Sequence, residues 1–249
     1  MPPSAGPHRP DPALLEELRA RIRRIERHAP NGGNEGAGVL TLGAPEIDGV
    51  LPWGGLPRAA LHEIIGERGA ASGFCAGLLA RLAGDTGTVL WCRREPGLHA
   101  PGLDVFGLDP KRLVVVRGHN RNDIPWAMEE GLGSAALAAV LGETDGIAVI
   151  PRRRLQLAAE KGGVTALLLR TTGDRMASGP ALTRWRVDAA PGGFDAPRWR
   201  VDLLRCRGGN PAAWIVEWHD GKTGGFTVVA ELRHRSVESA TADEIRRTG

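Results

Sequence analysis

Apolar residues in this chain gather in short unbroken runs with amphipathic stretches between them. Ala60, Leu61, Ile64 and Ile65, then Thr88–Trp91 (TVLW), Leu113–Val116 (LVVV), Leu137–Leu141 (LAAVL) and Val164–Leu169 (VTALLL) each read as a strand. Runs without polar alternation belong to strands covered on both faces, the habit of a parallel sheet. Helical patterns separate them: Phe74–Leu82, residues 123–136 with Trp126, Met128, Leu132 and Ala136 apolar, and Arg152–Lys161. Leu103–Leu108 reads as a further short helix. This alternation predicts an α/β fold, with a central, mainly parallel sheet flanked by helices.

From Leu182 onward the period changes. Arg184–Asp188 (RWRVD) returns as Arg198–Asp202, each alternating apolar with charged as half-exposed strands do. Ala213–Trp218 and Phe226–Leu232 extend the set, so antiparallel strands are expected at the C-terminal edge of the sheet. At the other end of the chain, Asp11-Pro12 is a helix start. Leu14, Leu15, Leu18, Ile22 and Ile25 follow at helical spacing, with Arg19, Arg21, Arg23, Arg24 and Arg27 on the other face. Residues 29–38 are a Gly- and Asn-rich linker. The chain therefore divides into a basic N-terminal arm (1–38), a core domain (39–235) and a polar tail (236–249).

Length and composition narrow this picture. At 249 residues the chain can bury one good core, and 42% apolar with 24% charged residues is ordinary for a soluble globular protein. The net charge is +3, and the cations are almost all arginine, lysine occurring at Lys111, Lys161 and Lys222 alone. Arginine suits phosphate and carboxylate recognition, and a biased genome enriches it equally well. Cys75, Cys92 and Cys206 lie far apart without metal-ligand spacing, so neither a zinc site nor a disulfide framework is expected. No apolar run approaches the roughly 18 residues of a membrane span, and no secretory leader is evident, so a cytoplasmic protein without membrane contact is expected.

Candidate chemistry centres on residues 51–82. A Gly-rich turn (Gly54, Gly55, Leu56, Pro57) leads to a short strand, a small-residue loop from Gly66 to Gly73, and an apolar helix. This has the shape of a phosphate-binding loop, whose pattern is G-x-x-x-x-G-K-[ST]. Counted from Gly66, with Gly69 inside the loop, the second glycine position holds Ala71, the lysine position Ser72 and the hydroxyl position Gly73. The side chains that hold terminal phosphates and magnesium are missing, leaving at most a weak backbone anion nest. No cofactor is therefore expected and no catalytic residue is assigned.

With these residues in hand, the chain resembles the RecA recombinase family. Gly54-Gly55-Leu56-Pro57, Glu63-Ile64 and Gly66 reproduce the run leading into that family's phosphate loop, and Trp199–Arg207 followed by Gly208-Gly209-Asn210-Pro211 matches a later segment. More narrowly it resembles the ImuA family, through Leu42–Glu63, Gly107–Val116 and Arg153–Glu160. The resemblance implies a RecA-like core and a non-catalytic adaptor role in SOS-induced, error-prone translesion synthesis. Its implied partners are an ImuB-type polymerase homologue, RecA itself and an error-prone DnaE-type polymerase, with weak DNA contact and self-association also open. It further implies that Glu143 stands where a metal-positioning aspartate ends its strand, and that Glu95 lies near the water-activating glutamate. Arg205 and Arg207 fall where recombinases reach the next subunit's nucleotide. With Arg19, Arg23, Arg27, Arg170 and Arg175 they are the candidate partner or phosphate contacts. Single histidines such as His62 and His119 read as structural. Two other readings stay open: a divergent ATPase acting on single-stranded DNA, and a SulA-like inhibitor of cell division.

Overall fold

Strand β3 (Leu61–Gly66) runs near the middle of a nine-stranded sheet. The computed structural model describes residues 38–120, 122–145, 148–170, 179–192, 196–219 and 225–232. The expected N-terminal helix, with Arg19, Arg23 and Arg27, lies outside the described residues, as do Arg175 and the tail from 236.

The chain enters through β1 (Val39–Leu40), which pairs antiparallel with β2 (Leu56–Pro57), and a single turn of helix, α1 (Pro45–Asp48), lies between them. After β3 come α2 (Arg68–Ala83), β4 (Thr88–Arg93), a 3-10 segment (Ala100–Phe106) and β5 (Leu113–Arg117). Next are α3 (Asp123–Leu132), β6 (Leu137–Thr144), α4 (Val149–Gly162) and β7 (Thr165–Arg170). The chain closes with β8 (Thr183–Ala189), β9 (Arg198–Cys206), β10 (Ala212–His219) and β11 (Gly225–Leu232). Sheet order is β11-β10-β9-β8-β3-β7-β6-β4-β5. Pairings from β8 through β5 are parallel, and those from β8 out to β11 are antiparallel. This is the expected α/β plan, with its antiparallel strands on the C-terminal side.

Right-handed crossovers decide which helix lies where. The chain passes from β3 outward to β4 and β5, then returns through β6 to β7, so α2 covers one face and α3 with α4 the other. Beneath α2, Phe74 packs edge-on to Trp199 and against Phe226 and Trp185, with ring centroids 4.9–6.5 Å apart. Trp218 fastens the 3-10 segment to this cluster by donating Nε1–H to the Val105 carbonyl at 2.8 Å. On the opposite face Ile124, Met128, Leu132, Leu155 and Ala159 bury against Leu90, Val140, Ala166 and Leu168.

Two expectations about burial are corrected. β5 was expected to be covered on both faces. It is the outer strand of the sheet, and Val114 and Val115 are close to half exposed, because among the described residues nothing pairs with it beyond β4. Lys111 and Arg117, both exposed, flank it. Arg184 was expected on a half-exposed strand. It is buried, because β8 is an interior strand with β3 on one side and β9 on the other.

His62 is structural, as expected, and the reason is specific. The Trp185 indole can only donate, and gives its N–H to Thr183 Oγ1 at 2.7 Å. The Thr183 hydroxyl is then free to donate to His62 Nδ1 at 2.7 Å, leaving His62 Nε2–H to donate to the Pro57 carbonyl at 2.9 Å. That fixes the neutral tautomer, and complete burial lowers the His62 pKa to about 4.

Candidate functional site

In open parallel sheets ligands sit beyond the carboxyl ends of the strands, where the strand order reverses. Here that place lies among the ends of β3, β4, β6 and β7. The expected loop there is absent. β3 ends at Gly66, Glu67 alone intervenes, and α2 begins at Arg68. Ala71, Ser72 and Gly73 lie within α2, and Gly69 is in its first turn. The Ala71 amide already donates to the Glu67 carbonyl at 2.8 Å, so a nest running from Gly66 to Gly73 does not form. This corrects the sequence reading: Ala71 and Gly73 are small because a helix packs closely there, not because a loop wraps an anion. A Cβ on Gly73 would come within 3.0 Å of Phe106 and 3.2 Å of Trp199. A Cβ on Gly66 would lie 1.8 Å from the Val187 carbonyl oxygen, so that glycine serves the close approach of β3 and β8.

The strand ends are filled by the chain's own charges. Arg68, first residue of α2, pairs with Glu95 beyond β4. That pairing lowers the Glu95 carboxyl pKa and raises that of Arg68. Glu95 is thus on the surface, and already engaged. Glu143 near the end of β6 accepts the Trp91 indole N–H at 2.6 Å through Oε1 and faces Arg93 at 3.5 Å through Oε2. Arg94 and Asp145 stand 3.8 Å apart beside them. Arg68, Arg94, Glu95, Glu143 and Asp145 line a space of about 20 Å³. Ordinary small-molecule sites measure roughly 300–1,000 Å³. Both oxygens of Glu143 are already engaged, and among the described residues no lysine lines the space. These residues do not fit a nucleoside triphosphate with its magnesium ion.

A second charged group lies deeper. Glu63 is fully buried on β3 and takes Arg152 on one oxygen at 2.9 Å and Arg184 on the other at 2.7 Å. Arg152 opens the buried side of α4, and Arg184 comes from the neighbouring strand. This triad bolts α4 to β3 and β8. Arg170, a candidate phosphate contact, ends β7 and is buried, which removes it from the accessible surface. Arg205 is half-buried on β9 and donates to the Gly179 carbonyl at 2.6 Å. Arg207 is exposed just past the strand. The structure therefore does not join Arg170, Arg205 and Arg207 into one surface. A shallow groove of about 520 Å³ runs between residues 49–52 and 208–212, walled by glycine, proline, Val50, Leu51 and Ala212, with Asn210 its one polar side chain.

No protein-family model matches the chain. Protein ImuA of Caulobacter vibrioides is 36% identical over 229 residues, an overlap spanning 82% of this chain and 94% of that protein. The same values hold for strain NA1000 / CB15N and for strain ATCC 19089 / CIP 103742 / CB 15. The chain belongs to the ImuA family. In this ImuA-family protein the Leu42–Glu63 stretch serves architecture. Asp48 accepts the Leu42 amide at 2.8 Å, and Gly54 and Gly55 take positive φ at the turn into β2. Sequence reasoning missed Arg68, Trp91, Arg93, Arg94 and Asp145 as members of the strand-end cluster. Arg68 gave one signal, being the sole cation of the Gly66–Gly73 stretch. Trp91 and Arg93 gave none, since their partner Glu143 lies on a different strand.

Proposed function

We propose that this ImuA-family protein is a non-catalytic, RecA-like adaptor in SOS-induced, error-prone translesion DNA synthesis. It acts in the cytoplasm, at damaged nucleoid DNA, by holding an ImuB-type polymerase homologue and RecA together with an error-prone DnaE-type polymerase. Family membership and the α/β sheet with its central parallel strands support this reading. The observation that carries the non-catalytic part is the self-occupied strand end. A helix starts one residue after β3, and Arg68–Glu95, Arg93–Glu143 and Arg94–Asp145 take the place a nucleotide would need. Such an adaptor works through contact surfaces, and its folded core serves as a rigid frame for them.

The experiment is co-purification of the full chain with the ImuB-type homologue and, separately, with RecA, beside an ATP titration of the chain alone. A complex with either protein and no nucleotide binding is expected. Absence of both complexes sinks the adaptor. Tight ATP binding with hydrolysis stimulated by single-stranded DNA moves the protein to the ATPase reading.

A further inference from the structure

We draw no further inference here: the strongest candidate, the shallow groove between residues 49–52 and 208–212, has no charged side chain among the described residues that line it to select an occupant, and nothing in the structure shows what covers it.

Discussion

Rebuilding the phosphate loop by Ser72→Lys with Gly73→Thr should destabilise the fold and give no ATPase. Gly73 is the sixth residue of α2 and is buried against the 3-10 segment and β9. The threonine Cβ alone meets Phe106 at 3.0 Å and Trp199 at 3.2 Å, before its methyl and hydroxyl are placed. Those rings also touch Trp218 and Phe226, so the cluster has little freedom to yield. Overpacking of this kind costs about 1–3 kcal/mol. Replacing a mid-helix glycine by threonine returns about 0.3 kcal/mol of helix propensity, too little to offset it. Gly73→Ala is the control: it regains about 1 kcal/mol of propensity against one tight methyl contact, and should be near neutral. Urea titration should show the double variant lower by about 1–3 kcal/mol, with a melting temperature lower by about 2–4 °C per kcal/mol. A double variant as stable as its parent, which also binds ATP with magnesium, would mean that residues 66–73 form a loop after all, and the reasoning would fail.

Three further outcomes follow from the same geometry. Glu63→Gln leaves Arg152 and Arg184 buried without their carboxylate and should cost about 3–5 kcal/mol in chemical denaturation, whereas a loss below 1 kcal/mol would mean the triad is solvated. His62 stays neutral in the fold down to about 4, while the unfolded chain takes up its proton below 6.5. Its contribution is thus fully present above 6.5 and falls by about 3 kcal/mol as pH drops to 4, and His62→Gln should flatten that part of the stability–pH curve. Gly66→Ala should yield little folded protein, since its methyl would stand on the Val187 carbonyl; a well-folded variant, judged by circular dichroism, would contradict the close β3–β8 approach.

The order of strands and helices was legible because parallel strands and their crossovers leave different apolar periods. The C-terminal antiparallel set was legible from the two RWRVD runs, which pair with each other as β8 and β9. The start of α2 was not. Arg68-Gly69-Ala70-Ala71-Ser72-Gly73 reads as a loop by propensity, and becomes helix because Gly73 and Gly77 let it sit flush on Phe106, Trp199 and Trp218. The strand-end ion pairs were illegible for another reason: Arg68, Glu95 and Glu143 come from separate elements, and only the sheet order brings them together. Arg184 looked like a solvated strand cation until β3 supplied Glu63 beside it.

The outer strand Leu113–Arg117 sets how this protein will behave in a tube. Among the described residues its outer edge has no strand partner, and such an edge of valines is a template on which another chain can align; Lys111 and Arg117 at its ends keep other copies away by like charge. That guard reaches about 10 Å in 0.1 M salt and about 3 Å in 1 M. Concentrated salt, the usual means of stripping nucleic acid from an arginine-rich protein, therefore silences the guard and strengthens the attraction it opposes. The protein should keep best in dilute buffer, and turbidity should rise, not clear, as salt is added.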